Sequence, residues 1–320
     1  MFKHIIFIAF LIHLIHVRAE DENSDTEKDD ESRSLNKVEL YRGKIGNFSR
    51  RQIHRFDQFF NDENVEEETQ KSYIRISPSV LISEGGSIDK RLDIDVYIHL
   101  PNLENKGRFF IQSVTEKFES DFLEDLLFDD ENDEGDELNK DDSITVGLQY
   151  DFIREQKMHL KLSAGPKYRD SSLQTYIKVR GRYSFKISDW DYRLTQNIFY
   201  DDHEYGERSA IDISRLLTRK SMLRFSSAAL WTESTDNVEL SHSLLYRYAL
   251  TQTSAISPKI SMFYTTNEPV VVDHYRFAIE YRRRLRYDWC QLIVRPAIHY
   301  PRLEDYKSET TLFIELGLTF

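Results

Sequence analysis

The sequence predicts an all-β chain that closes into a transmembrane antiparallel β-barrel of about fourteen strands, with a short helix ahead of it. Three observations predict the barrel. From Ser72 to Phe320 apolar residues recur at every second position, the period of a strand, with turn signals between the runs. Hydrophobic residues are 40% of the 320-residue chain and mean hydropathy is −0.57, too little for a bundle of membrane helices but enough for strands that are apolar on one face. The 18 Tyr, 20 Phe and 3 Trp can furnish aromatic girdles at two membrane interfaces.

The chain opens with Lys3, a mostly apolar stretch from Ile5 to His16, and Val17-Arg18-Ala19, the layout of a signal peptide over residues 1–19 with cleavage after Ala19. The apolar stretch, interrupted by His13 and His16, is short of the roughly 20 residues that span a bilayer. Residues 20–46 form an acidic tail: Glu20 to Glu31 holds eight carboxylates and one Lys, a composition that stays disordered. Residues 47–71 are expected to hold a periplasmic helix and a linker. Asn47 or Ser49 can cap the helix, and Ile53, Phe56 and Phe60 recur at helical spacing. That apolar stripe needs a place to bury, and the periplasmic mouth of the barrel, where it would act as a plug, is the expected place.

Residues 72–320 carry the barrel. The first strand sets Ile74, Ile76, Pro78, Val80 and Ile82 against Arg75, Ser77 and Ser79. The second sets Leu92, Ile94, Val96, Ile98 and Leu100 against Arg91, Asp93, Asp95, Tyr97 and His99. A less regular third runs from Arg108 to Thr115. The fourth has Ile144, Val146, Leu148, Tyr150 and Phe152 outward, and the fifth alternates Leu160 to Tyr168 with His159 to Lys167. The sixth sets Ile177, Val179, Gly181, Tyr183, Phe185 and Ile187 against Lys178, Arg180, Arg182, Ser184 and Lys186. Eight more are expected near Trp190–Tyr200, Arg208–Leu217, Met222–Thr232, Val238–Tyr248, Ile256–Tyr264, His274–Arg284, Cys290–Tyr300 and Thr311–Phe320. Fourteen is even, as single-chain bacterial barrels require; twelve is the alternative. Alternate connections are short and the others mostly longer, the longer set including Asp201 to Glu207 and the acidic segment 119–142, which is expected as an extracellular loop.

The last strand places Leu312, Ile314, Leu316, Leu318 and Phe320 on one face. With this ending, the region from Ser72 to Phe320 resembles integral outer-membrane β-barrel proteins of Gram-negative bacteria, and the tracts Phe56 to Asn64, Gly85 to Pro101 and Tyr281 to Trp289 are similar to uncharacterised barrels of that class. The resemblance implies an outer-membrane location, contact with outer-membrane lipid, and an assembly signal, Leu316, Leu318 and Phe320, read by the barrel-assembly machinery. In that class a Gly stands five residues before the terminal aromatic; here that position is Glu315 and the glycine is Gly317.

Charge is unevenly placed. The net charge of −12 comes from Glu20–Glu31 and from Glu119–Asp142, which holds thirteen carboxylates; with both set aside the rest of the chain is basic. Strand parity turns Lys161, Lys178, Arg180, Arg182, Arg276, Arg282 and Arg295 into the lumen, with Glu280 among them, and Arg75, Lys167, Lys186, Arg193, Arg208, Arg224, Arg247, Lys259 and Arg284 likewise. An open lumen of this kind favours small anionic solutes, in a passive or gated pore. The alternative is a closed, non-catalytic barrel whose charges pair internally and whose role is that of a scaffold or interaction protein.

A hydrolase is the third reading. Ser241-His242-Ser243 cannot be a nucleophile and its base, because neighbours on a strand face opposite ways. Asp201, Asp202, His203 and Glu204 are the acidic and His residues that a rim protease would need. Asp130, Asn132, Glu134, Gly135 and Asp141 approximate a calcium loop, with Glu137 where an apolar residue is usual. No zinc cluster, phosphate-binding glycine loop or nucleic-acid module is present, so no cofactor and no nucleic-acid partner is expected. Cys290 is the single cysteine and has no partner for a disulfide.

Overall fold

A computed structural model describes residues 72–320 apart from 101–105, 115–142, 156, 170–171, 202–203, 234–237, 267–270 and 288. The signal peptide, acidic tail, plug helix, acidic loop and calcium-like segment expected above all lie outside the described residues.

Fourteen antiparallel strands close into one barrel, each paired with its sequence neighbours and β1 with β14. They are β1 (Tyr73–Ser83), β2 (Ile88–Leu100), β3 (Gly107–Val114), β4 (Ser143–Arg154), β5 (Met158–Arg169), β6 (Ser172–Ile187) and β7 (Trp190–Asp201), then β8 (Glu204–Thr218), β9 (Ser221–Thr232), β10 (Val238–Ala249), β11 (Ser254–Thr265), β12 (Val271–Arg284), β13 (Cys290–Pro301) and β14 (Glu309–Thr319). Closure leaves no strand edge to hydrogen-bond with lipid, which is what lets a sheet cross a membrane.

The expected alternation is realised. Leu92, Leu148, Phe152, Ile177 and Ile260 are exposed on the outside, while Arg75, Asp95, Lys161, Arg180 and Arg276 are buried on the inside. Two aromatic girdles bound the outer face. At one end Phe185 stacks on Tyr192 at 5.1 Å, Tyr287 on Trp289 at 5.1 Å, and Trp289 on Phe320 at 5.2 Å. At the other, Tyr205 meets Trp231 at 6.1 Å and Tyr275 meets Tyr306 at 5.9 Å. Trp190 and Tyr200 stand at opposite ends of β7. Ten residues at about 3.4 Å, tilted by about 40°, give a height near 25 Å, the apolar band of an outer-membrane barrel.

One loop expectation is corrected. Asp201 to Glu207 is not a long loop: Asp201 pairs with Glu204 and Tyr200 with Tyr205, so β7 and β8 run on to a tight hairpin. The polar run Asp201–Glu204 hides a period that Tyr205 and Gly206 resume. Inside, glycines admit two bulky rings: a Cβ on Gly206 would stand 2.1 Å from the Phe199 ring, and one on Gly147 would stand 2.7 Å from that of Phe110.

Candidate functional site

The inner wall is where chemistry can reside, and the ladder registers arrange it in rows. One row runs Asp151, Lys161, Arg180, Asn197, Arg208 across β4 to β8. The next along the strands runs His159, Arg182, Thr195. On β5 to β9 the inward bases are Lys161, Lys167, Lys178, Arg180, Arg182, Lys186, Arg193, Arg208 and Arg224, while the inward acids are Asp191 and Asp212, with Glu204 at the strand end. Lys186 reaches Asp191 at 3.9 Å, and Arg193 stands opposite Asp212 in the ladder. The remaining wall interleaves its charges: Arg75 faces Asp95, Ser79 faces both Arg91 and Glu315, and Arg282 lies beside Glu280. Among the described residues, bases therefore outnumber acids on β5 to β9, while the rest of the wall taken together is close to balance.

These charges are not loosely solvated. Lys161 is 2% exposed, Arg180 3% and Lys178 7%, and none of the three is without a partner. Arg182 is half-buried and engaged as well. Charges that deep must be compensated. Two clusters show how. Asp151 accepts a hydrogen bond from His159 Nε2 at 3.0 Å and stands 3.5 Å from Arg108 and 3.8 Å from Arg154, beside a register shift that turns the strand. Glu280 takes Arg282 on one oxygen, Nε and Nη2 both at 3.0 Å, and Arg295 on the other, Nη2 at 2.8 Å and Nε at 3.2 Å. Two charge-assisted forks on one carboxylate are a strong, directional arrangement. Arg295 also lies over the Phe313 ring at 5.3 Å.

The structure thus brings Glu280, Arg282 and Arg295 together, places Lys161, Lys178, Arg180 and Arg182 on the opposite, basic wall, and sets Arg276 apart beside His299 in the ladder. Sequence reasoning missed Arg108 and the role of His159. Arg108 alternates with Phe109 and Ile111, but Phe110 on its own side blurs the polar face; only the fold carries it to Asp151. Leu316, Leu318 and Phe320 line the outside of the closing strand. Phe320 donates to Ile74 O at 2.8 Å and accepts from Ile74 N at 3.1 Å, which ties the chain end into β1.

The serine–histidine candidate does not assemble. His242 faces outward between Phe225 and Tyr264, while Ser241 and Ser243 face inward. Of the rim set, Asp201 and Glu204 are register partners at the end of the β7–β8 ladder, and Asp202 and His203 lie outside the described residues.

A family model described as "Protein of unknown function, DUF481" matches residues 106–289, which span β3 to β12. No curated protein matches the sequence. Among solved structures, the CymD monoaromatic hydrocarbon channel is 6% identical with a TM-score of 0.51, covering 82% of this chain and 92% of that one. A bacterial polysaccharide outer membrane secretin is 12% identical with a TM-score of 0.49, over 78% and 98%. The outer membrane channel DcaP of Acinetobacter baumannii is 9% identical with a TM-score of 0.43, over 78% and 96%. The CymD likeness establishes the outer-membrane barrel fold and nothing finer; the other two are too distant to carry an argument.

Proposed function

The chain belongs to the DUF481 family, and since that description names no function, we propose one from the inner wall: a gated outer-membrane pore that favours anions. The observation that carries it is the split lumen. Among the described residues of β5 to β9, nine inward Lys and Arg side chains stand with the inward acids Asp191 and Asp212 and with Glu204 at the strand end. A wall on which bases outnumber acids lowers the energy of an anion along it, most where the path is narrow. The deep burial of Lys161, Lys178 and Arg180 supports gating, because these charges are engaged in this conformation and passage must draw on them in another.

The testing experiment is reversal potential in a planar bilayer under a salt gradient. The wild type should prefer anions, more strongly at low salt where screening weakens. Lys178, Arg180 and Arg182 changed together to Gln should move the reversal potential toward cations. A cation-selective wild type would refute the reading. A barrel that inserts and never conducts would favour the second reading, a closed scaffold, for which the same burial of inward charge is the supporting observation. Outer-membrane lipid, the barrel-assembly machinery and small anionic solutes are the partners this proposal requires.

A further inference from the structure

Three arginines gather about the Glu280 carboxylate. The ladder sets Arg247 opposite Ser257, since Leu245 pairs with Lys259 and Tyr248 with Ile256, and Ser257 pairs with Glu280. Ala278 with Ala297 and Tyr281 with Val294 set Glu280 opposite Arg295. One row of the wall therefore reads Arg247, Ser257, Glu280, Arg295, with Arg282 on the adjacent row. Three guanidinium groups surround one carboxylate.

Two polar atoms in this group stand out. Ser257 is 4% exposed, and its Oγ has no hydrogen-bond partner. Arg282 gives Nε and Nη2 to Glu280, while its buried Nη1 has no partner. A guanidinium has two donor edges, so the fork to Glu280 leaves the Nη1 side of Arg282 able to receive a second oxyanion. A buried hydroxyl and a buried cationic donor left without acceptors each cost free energy that an incoming acceptor would recover.

We propose that Arg282, Ser257 and Arg247 form a binding site for a small tetrahedral oxyanion, phosphate or sulfate, on the inner wall between β10 and β12, with Glu280 as its positioning residue. The inference rests on the anion-favouring reading of the lumen and narrows it. A tetrahedral oxyanion offers acceptors in several directions at once, so it can take a guanidinium edge and the serine hydroxyl together; a halide has no such geometry. Glu280 keeps Arg282 and Arg295 extended along the wall and limits the net charge of the pocket. It does not occupy the Nη1 edge.

Binding of inorganic phosphate to the whole detergent-folded barrel tests this without requiring conduction. Thermal unfolding is followed as phosphate replaces chloride at constant ionic strength, and sodium sulfate serves as a second probe. The wild type should be stabilised in a saturable way. Ser257→Ala, a change too small to threaten folding, should weaken the apparent affinity about tenfold, the size of one hydrogen bond to a charged group. Arg282→Gln should abolish saturation, and Arg215→Gln, at a half-exposed arginine paired with Asp189 and outside the inward set, should leave the phosphate affinity within about twofold. Equal losses in Arg282→Gln and Arg215→Gln, an unaltered Ser257→Ala, or no difference between phosphate and chloride would each overturn the site. Those results would leave an anion-selective pore standing, whereas a cation-selective pore with saturable phosphate binding would do the reverse.

Discussion

Removing Phe320 probes how the barrel is shut. Its backbone makes two hydrogen bonds to Ile74, at 2.8 and 3.1 Å, and its ring stacks on Trp289 at 5.2 Å. Those bonds sit at the end of a seam with an interruption: the β1–β14 ladder passes from Ile76 and Leu318 to Ser79 and Glu315, skipping Pro78, which has no N–H to give. Two backbone bonds at about 1 kcal/mol each and an aromatic stack of about 1 kcal/mol sum to roughly 3 kcal/mol. That is about a hundredfold in the folding equilibrium. Phe320→Ala keeps the backbone bonds and loses only the stack, so its expected cost is about 1 kcal/mol, roughly fivefold.

The assay is refolding from urea into lipid vesicles, read by the heat-dependent gel mobility of a closed barrel. Deletion should lower yield and rate far more than the alanine change. If the two variants fold alike, the backbone closure at Ile74 is not what the last residue contributes, and the side chain alone carries its role. If neither differs from wild type, the seam is held by the rest of β14.

Other changes test the interior. Asp151→Asn leaves Arg108, whose side chain is 3% exposed, facing a neutral amide; a loss of about 3–5 kcal/mol is expected in urea unfolding. Gly206→Ala drives a methyl into the Phe199 ring and should destabilise by about 1–3 kcal/mol, with Phe199→Leu in the same chain restoring part of it; no restoration would show that the ring is not the obstacle. Cys290 is buried, so a maleimide should label it only after unfolding, and rapid labelling of the folded barrel would contradict its placement.

The fold was legible because a barrel needs only one local rule, repeated. Period-two alternation names the strands and their two faces, and the hairpin connections name the partners, so all fourteen strands fall near their expected positions. Ends were legible less often. β6 starts at Ser172 and β8 at Glu204, ahead of the expected residues, because polar outer ends of strands look like loops. The face of each charge was readable, but not its row. Glu280 meets Arg295 across fifteen positions, a pairing that depends on the register of the β12–β13 hairpin, which no alternation encodes. Arg108 meets Asp151 only after the chain has passed the whole β3–β4 connection.

The same distinction bears on function. Parity could say that the lumen is basic; the strand order adds that, among the described residues, nine of those bases gather on β5 to β9. Glu280→Gln strands two arginine forks and should lower stability, since an uncompensated buried charge is costly. Arg208 is buried and engaged as well, so Arg208→Gln should also cost stability in urea, but it should in addition move the reversal potential of the inserted barrel toward cations. An Arg208→Gln barrel with the wild-type reversal potential would mean that this charge is internal glue that no passing ion meets, and the argument for an anion path would lose its footing.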